Sequence, residues 1–303
     1  MFIDQGHKVH SVLKYAGVSP STWYKKAKEG KPSIEKSHSK GRPRQLSRTN
    51  SGNLLTDDEV KDNLRELRGR RFLKELGYKK LANYLRRDFD LIINNKKVYR
   101  LYKAAGIELA KKKKNKRRGK KVCENREVTG PNQLWQFDIK YGYIDGENRF
   151  FFLMAFIDTF NREVVDYHVG LRCQAKDILF TLNIALEKSN AKKEDLVIRS
   201  DNGPQMTSHK FKKRIEEHGL EHEFTPPGTP DLNAYVESFF SIVDRELFKG
   251  RVYESYSEAY GEMVDFISHY NKDRPHGSLN MMTPKEFTRK FEKDTKKEPE
   301  LVA

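Results

Sequence analysis

A run of lysine and arginine divides this chain into two parts. Residues 111–121 read KKKKNKRRGKK, nine basic residues in eleven, and a run of this kind repels itself and cannot lie in a hydrophobic core. Residues 1–130 contain 35 Lys and Arg against 14 Asp and Glu, a net charge of +21. Residues 131–303 contain 24 Lys and Arg against 29 Asp and Glu, a net charge of −5. We therefore expect the two parts to have different functions.

The basic first part predicts binding to a polyanion. Nucleic acid is the favoured polyanion, because contacts from Lys and Arg to phosphates release counterions and dominate affinity; a merely solvated charged surface is the alternative. The longest apolar run, residues 150–157, is much shorter than the roughly 20 residues of a membrane helix, so no membrane partner is expected. Cys123 and Cys173 fit neither a disulfide framework nor a cysteine-rich zinc site, and a reducing cytoplasm is the expected compartment.

Two helical regions are predicted in the first part. Residues 1–29 are typical of two short helices around a turn, with Pro20 as the first residue of the second helix. A helix-turn-helix and a simple helical hairpin fit this pattern equally well. Residues 30–56 are predicted to be a linker, residues 57–110 a helical DNA-binding module, and residues 111–130 a basic linker.

The last helix of this module contains the candidate DNA contacts. Asn94 or Asn95 is expected to cap a helix whose apolar residues face inward. Its basic residues lie mostly on the other side, and they are Lys96, Lys97, Arg100 and Lys103. A helix, a turn and a basic helix form the geometry of a recognition helix in a major groove, so these four residues are predicted to contact DNA. A helical packing module with incidental charge is the alternative.

The second part of the chain predicts an α/β layer. Residues 133–143 alternate apolar and polar, residues 149–157 are almost continuously apolar, and residues 163–169 alternate again, so three consecutive strands are expected. A helix, a strand, a helix, a short strand and a long helix follow, and residues 256–270 predict one more helix. This order favours a mixed central sheet covered by helices.

Three acidic residues of the second part occupy positions where a buried charge is costly. Asp138 lies in the middle of a strand, Asp201 lies at the carboxyl end of another, and Glu237 lies in a helix among apolar residues that it is expected to face. Each alone could be a structural carboxylate, but three in one domain favour a metal site, and oxygen ligands favour Mg²⁺ or Mn²⁺ over zinc. Asp158, at a strand-to-turn position, is expected to be structural because Asp caps backbone amides there.

The spacing of these acids and the words around them resemble a known family. Sixty-two residues separate Asp138 from Asp201, and thirty-five separate Asp201 from Glu237. This pattern resembles the DDE transposases and retroviral integrases, and specifically the OrfB reading frame of the bacterial insertion-sequence transposases of the IS-three family. The sequence motifs around these acids that support the resemblance are Pro131–Trp135, Ile157–Asp158, Asn161–Arg162, Ser200–Gly203, Asn233–Phe240, Tyr270–Asn271, Arg274–His276 and Thr283–Pro284. Gly77–Lys80 and Asn95–Leu101 resemble the N-terminal module of the same family.

The resemblance implies a ribonuclease-H-like catalytic core over residues 131–250, with a mixed five-stranded sheet and helices. A C-terminal helical extension over residues 251–303 would follow it, and an all-α, helix-turn-helix-like DNA-binding region would precede it. Two Mg²⁺ ions, replaceable by Mn²⁺, would be held by Asp138, Asp201 and Glu237 for cleavage of a DNA strand and attack of its 3′-OH on another phosphodiester.

The resemblance also implies partners and a location. Double-stranded DNA from transposon ends and target would be bound by a homo-oligomer, with an upstream OrfA product as a partner or fusion. The protein would act in the bacterial cytoplasm, associated with the nucleoid. The alternative is a non-catalytic DNA-binding regulator derived from a transposase, which the intact acidic triad disfavours.

Four positions depart from the family's pattern. Pro204 and Met206 replace the usual Ser and Tyr after the second aspartate. Lys140 stands where Thr is common two residues after the first aspartate. Asp244 stands where a basic residue usually faces DNA, and Arg245 beside it is the candidate contact. Asn233 lies one helical turn before Glu237, where it is expected to orient the carboxylate, contact DNA or cap the helix.

Overall fold

The computed structural model of this chain describes residues 6–29, 45–110, 126–189, 191–226 and 230–295. The chain divides into two compact units near residue 46. The first unit contains the two predicted short helices, which are α1 (Val9–Tyr15) and α2 (Pro20–Glu29). Ser19 caps α2, because its hydroxyl accepts a hydrogen bond from the backbone N–H of Thr22. No helix within the described ranges combines the length and the apolar character needed to cross a membrane.

The second unit begins with short strands and helices. In chain order these are β1 (Leu46–Thr49), β2 (Leu54–Thr56), α3 (Asp57–Gly69), α4 (Tyr78–Asp88), β3 (Leu91–Ile92) and α5 (Asn95–Ala104). The three strands form a sheet in the order β2-β1-β3, so the all-α prediction for this region is wrong. Strands of two to four residues are too short to produce a readable alternation of apolar and polar residues. Residues 30–44 and 111–125, most of the two predicted linkers, lie outside the described ranges.

The helices of this region begin at side-chain caps. Thr56 and Glu59 form a reciprocal capping box at the start of α3. The side chain of Asn94 accepts a 2.8 Å hydrogen bond from the backbone N–H of Lys97 at the start of α5. The inner faces of α3, α4 and α5 form one hydrophobic cluster, which includes Val60, Leu64, Leu67, Leu81, Leu85, Val98 and Leu101.

A five-stranded mixed sheet forms the centre of the second unit. Its strands are β4 (Leu134–Ile144), β5 (Arg149–Asp158), β6 (Val164–Gly170), β7 (Val197–Ser200) and β8 (Glu221–Phe224). They lie in the order β6-β5-β4-β7-β8, with antiparallel pairs β4/β5 and β5/β6 and parallel pairs β4/β7 and β7/β8. The predicted fold class, a ribonuclease-H-like core with a mixed five-stranded sheet and helices, is confirmed.

Helices cover both faces of this sheet. They are α6 (Ala175–Ser189), α7 (Pro204–Thr207), α8 (His209–Glu217), α9 (Ala234–Val243), α10 (Tyr256–Lys272) and α11 (Pro284–Thr295), and a π-helical turn at Asp244–Phe248 continues α9. Phe137 of β4 packs in the cluster that includes α6 and α8, whereas Ala155, the cross-strand partner of Asp138, packs in the cluster that includes α9 and α10. The second cluster continues through Tyr270, so the boundary expected at residue 250 lies inside one hydrophobic core.

Candidate functional site

The three candidate carboxylates lie at neighbouring elements of the central sheet. Asp138 is in β4, Asp201 directly follows the parallel neighbour β7, and Glu237 is in the first turn of α9, which packs on β4. The pKa of Asp138 is raised from 3.8 to about 6, mainly by burial and further by the negative charges of Asp201 and Glu237. The negative charges of Asp201 and Glu237 therefore act on the carboxyl group of Asp138.

The three carboxylates differ in exposure. Asp138 is half-buried, whereas Asp201 and Glu237 are exposed. The expectation that Glu237 faces apolar surroundings is therefore wrong. The apolar residues of α9 lie on a different face of the helix and pack in the core. They are Val236, Phe239, Phe240 and Val243. The helix thus directs its apolar side into the protein and Glu237 toward the surface.

The three carboxylates are the candidate ligands of a divalent cation. Within the described ranges, no three His, Cys, Asp or Glu side chains are close enough together to hold one metal ion. The donor chemistry nevertheless fits, because the three groups are all carboxylates and the charge of each of the other two already raises the pKa of Asp138. Their present hydrogen bonds are local: Asp138 accepts from the Ile139 N–H at 2.7 Å, and Asp201 accepts from the Gly203 N–H at 3.0 Å.

A buried glutamine joins the strand of Asp138 to the helix of Glu237. Gln136 is fully buried, and its Nε2 donates a 2.6 Å hydrogen bond to the carbonyl oxygen of Leu232. Its Oε1 accepts from the backbone N–H groups of Tyr235 at 2.9 Å and Val236 at 3.3 Å. Sequence reasoning missed this residue, although a Gln two positions before an Asp on a strand buried on both sides was the available signal.

A buried arginine reaches the same carbonyl from β7. Arg199 is 4% exposed, and its guanidinium donates a 3.0 Å hydrogen bond to the Leu232 oxygen. It also pairs with the Glu223 carboxylate at 2.6 and 2.8 Å, which lowers the pKa of Glu223 against the effect of burial. Sequence reasoning missed Arg199 as well, because an arginine inside a short strand carries no periodic signal.

Lys140 and Asp244, two of the positions that depart from the family's pattern, contact each other. Lys140 Nζ lies 2.8 Å from the carboxylate of Asp244. The predicted DNA contact Arg245 instead donates a 2.7 Å hydrogen bond to the nearly inaccessible carboxylate of Glu246. The side chain of Lys140 on β4 thus lies against Asp244, the first residue of the π-helical turn.

The predicted recognition helix α5 presents two of its four basic residues freely to solvent. Lys96 and Lys103 are exposed, and Lys103 lies over the Tyr99 ring at 5.4 Å. Lys97 and Arg100 each lie 2.7 Å from a different carboxylate oxygen of Asp57. These two cations are therefore already partly neutralised within the protein.

Two further polar residues near the site are buried. Asp158 is 1% exposed and accepts 2.7 Å hydrogen bonds from the N–H groups of Asn132 and Phe160, so the prediction that it is structural is confirmed. Burial raises its pKa to about 6 despite these bonds.

Asn233 stands at the N-cap of α9, but its side chain makes no capping hydrogen bond. Its buried Oδ1 has no partner among the described residues, so the capping alternative is wrong.

Comparison with known proteins gives two family profiles, both described as Integrase core domain. They match residues 128–230 and 218–284, together just over half of the chain. A protein of insertion element IS476 from Xanthomonas euvesicatoria is 31% identical over 72% of this chain. The transposase of insertion sequence element IS904 from Lactococcus lactis is 30% identical over 53% of this chain. The chain spans 62% of the length of each of these two relatives.

Solved structures show weaker similarity. A chain of the simian T-cell lymphotropic virus intasome in complex with a PP2A regulatory subunit is 17% identical, with a TM-score of 0.48, covering 79% of this chain and 76% of that one. The HTLV-2 integrase catalytic core domain in complex with magnesium is 15% identical, with a TM-score of 0.43, covering 54% of this chain and 99% of that one. The two profiles show that residues 128–284 of the chain belong to the integrase core domain family, and the sequence relatives are proteins of insertion elements.

Proposed function

We propose that this protein is a DDE transposase that cleaves DNA at insertion-sequence ends and joins the freed end to target DNA in a metal-dependent reaction. The observation that supports it best is that Asp201 and Glu237 both act electrostatically on Asp138. Carboxylates that repel one another are unfavourable unless a cation or a proton offsets their charge. No observation on the described residues favours a regulator without catalysis.

Asp138, Asp201 and Glu237 are the residues that would hold Mg²⁺, with Mn²⁺ as a substitute. When bound, divalent ions supply Lewis acidity for an in-line displacement at phosphorus. Asp201 and Glu237 are exposed, so a DNA backbone can reach the site without opening of the core. The Lys140 ammonium, which acts on the charge of Asp138, adds positive charge beside the triad for a phosphate.

The basic first part of the chain is the proposed DNA-binding part. The domains proposed from the sequence are residues 1–29 and 57–110 for binding, and residues 131–250 with the extension 251–303 for catalysis. Exposed Lys96 and Lys103 are available for phosphates directly. Lys97, Arg100 and Arg245 would each have to exchange a carboxylate for the DNA.

The partners and the location are proposed on family membership. They are double-stranded DNA of the element ends and the target, a second copy of this chain on that DNA, and an upstream OrfA product supplied separately or as a fusion. The reaction would take place in the bacterial cytoplasm at the nucleoid. The mild acidity of residues 131–303 leaves the affinity for DNA mainly to the first 130 residues, whose net charge is +21.

Removal of the three negative charges tests the proposal. Asp138→Asn, Asp201→Asn and Glu237→Gln keep the shape of each side chain, and each should reduce strand cleavage and joining below detection while the affinity for DNA is retained. The assay is a labelled duplex carrying the inverted repeat that flanks the gene, incubated with Mg²⁺ or Mn²⁺ and analysed for a nicked product with a 3′-OH.

Asp195→Asn is the matched control, because Asp195 is an exposed carboxylate in the turn before β7. It should cleave as the unmodified protein does. Nicking at the unmodified rate by any one of the three variants would remove that residue from the site. Inactivity of the unmodified protein with the OrfA product supplied would support a regulator.

A further inference from the structure

Two buried side chains occupy equivalent positions before the two candidate aspartates. Gln136 lies two residues before Asp138 on β4, and Arg199 lies two residues before Asp201 at the end of β7. The two are directly opposite each other in the parallel β4/β7 ladder. Since residues two apart on a strand lie on one face, Gln136 is on the same face as Asp138.

Both side chains donate a hydrogen bond to one acceptor. The carbonyl oxygen of Leu232 accepts from Gln136 Nε2 at 2.6 Å and from the guanidinium of Arg199 at 3.0 Å. Leu232 is in the 3₁₀ turn Pro230–Asn233 that leads directly into α9. One carbonyl at the entry of the Glu237 helix is therefore held by both aspartate strands.

Gln136 also holds the first turn of this helix. The first N–H groups of a helix have no partner inside it, and here those of Tyr235 and Val236 donate to Gln136 Oε1. Val236 immediately precedes Glu237. The position of the Glu237 backbone relative to β4 is thus set by one side chain that makes three hydrogen bonds.

The arginine is fixed on its other side. Its pair with Glu223 on β8 comprises bonds from Nε and from a terminal guanidinium nitrogen to the same carboxylate oxygen, so its orientation is defined before it reaches Leu232. Gln136 is completely inaccessible and Arg199 is 4% exposed, so water cannot replace either bond to the carbonyl. Loss of Gln136 would remove the acceptor of the Tyr235 and Val236 N–H groups, and loss of Arg199 would remove one of the two donors to the Leu232 carbonyl, so either change would let the entry of α9 move.

We propose that Gln136 and Arg199 are positioning residues that fix the separation of Asp138, Asp201 and Glu237, and so the affinity of the triad for a divalent cation. The proposal rests on the proposed function, since it takes the triad as the cation site. Neither residue contacts the cation. They act by holding the start of α9 against β4, which contains Asp138, and β7, which directly precedes Asp201.

The test uses Gln136→Leu and Arg199→Met in the full chain, with Mn²⁺ as the probe. Bound Mn²⁺ is measured from the electron paramagnetic resonance signal of the free ion, so the readout does not depend on catalysis. Loss of a residue that orients metal ligands typically weakens metal affinity by about 10- to 100-fold, and we expect the Mn²⁺ dissociation constant to rise by that factor. The Mg²⁺ concentration for half-maximal DNA cleavage should rise in parallel.

Asn271→Leu is the matched control. Asn271 is also a buried amide that bridges two elements, because it donates to the Val164 carbonyl at 2.9 Å and accepts from the Val164 N–H at 3.0 Å, joining α10 to β6. It should lose comparable stability to urea, whereas its Mn²⁺ affinity should stay within about twofold of the unmodified protein.

Three results separate the possibilities. Mn²⁺ affinity that is unchanged in Gln136→Leu, or reduced equally in Asn271→Leu, would overturn the positioning role. Absence of Mn²⁺ binding by the unmodified protein would instead contradict the proposed function. If Gln136→Leu and Arg199→Met fail to fold, Arg199→Lys keeps the charge for Glu223 but shortens the reach to Leu232, and it must weaken Mn²⁺ binding for the inference to stand.

Discussion

Two glutamates on one continuous helical segment have opposite surroundings. Glu246, in the π-helical turn, is buried against Arg274, with nitrogen to oxygen distances of 2.6 and 2.7 Å and side-chain exposures of 1% and 2%. The pairing holds the pKa of Glu246 at about 2 in spite of its burial. Glu237, nine residues earlier in α9, is exposed, and its negative charge helps to raise the pKa of Asp138.

The two carboxylates therefore act differently in the protein. The Glu246–Arg274 pair belongs to the fold, because it lies where α4 meets the end of α10. There Tyr84 donates a 2.9 Å hydrogen bond to the Asp273 carbonyl, and the pKa of Lys80 is lowered to about 7 by burial and by the nearby arginine. The triad, by contrast, contains carboxylates whose negative charges raise the pKa of Asp138, which is expected at a site that binds a ligand.

The largest expected effect comes from breaking the buried pair. Arg274→Met leaves Glu246 charged and buried without its partner, which typically costs about 3–5 kcal/mol in the free energy of unfolding. Urea denaturation measures it. Arg245→Met, which removes the more exposed neighbour of Glu246, is the control and should cost much less. A loss below about 1 kcal/mol in Arg274→Met would show that the pair does not belong to the stability of the fold.

The next effect is the dependence of stability on pH without metal. The pKa of Glu246 in the folded protein is about 2, below its usual 4.5. Glu246 therefore contributes to stability above pH 4.5, and this contribution is lost as the pH falls toward 2. The folded pKa of Asp138, about 6, is above its usual 3.8, so its contribution is fully present below 3.8 and is lost as the pH rises through 6.

Asp138→Asn isolates this second contribution. The difference in unfolding free energy between the unmodified protein and the variant should change by on the order of 2 kcal/mol between about pH 4 and pH 7, in chelator. The comparison between variants matters because Asp158 also has a raised pKa and contributes a slope of the same sign. If the unfolding free energies of the two proteins changed equally with pH, this would contradict the raised pKa of Asp138.

The smallest expected effect concerns a carboxylate that is paired at the surface. Asp57→Asn releases Lys97 and Arg100 and should cost only about 0.2–1 kcal/mol of stability, because solvent screens such pairs. The affinity of the whole protein for duplex DNA should rise and its dependence on salt should steepen, as two more cations become available for phosphates. Asp62→Asn, which removes the surface partner of Arg65 on the same α3 helix, should leave both unchanged. Equal DNA binding by the two variants would remove Lys97 and Arg100 from the DNA interface.

Much of the fold of the second part of the chain could be predicted from the sequence. The apolar residues 149–157 predicted a strand that the structure places at Arg149–Asp158, and the predicted strand at 163–169 is Val164–Gly170. Long apolar or alternating runs determine such strands almost alone. The small sheet of β1, β2 and β3 could not be predicted, because its strands are too short for a readable alternation and β1 pairs with β3, which lies beyond α3 and α4 in the sequence.

The acidic residues of the candidate site could be selected from the sequence, whereas the residues proposed to hold them in position could not. Asp138, Asp201 and Glu237 could be selected by spacing and by the words around them. The roles of Gln136 and Arg199 depend on a carbonyl almost a hundred and about thirty residues away, which no local pattern reports. The wrong expectation for Glu237 has a similar cause, because apolar neighbours in sequence occupy a different face of the helix.

The contacts between α4 and the end of the chain have a consequence for the order of folding during synthesis. Asn83 donates to the Met281 carbonyl, 198 residues later, and Tyr84 bonds to Asp273, 189 residues later. At about 5–20 residues per second, a ribosome needs roughly 10–40 s to supply these acceptors after α4 has been made. The α3–α5 cluster has its own hydrophobic interior and can form in that interval. Its docking surface therefore stays open until the segment that contains Asp273 and Met281 has been made, which gives the nascent α3–α5 cluster and the central sheet a period of independent movement before they join.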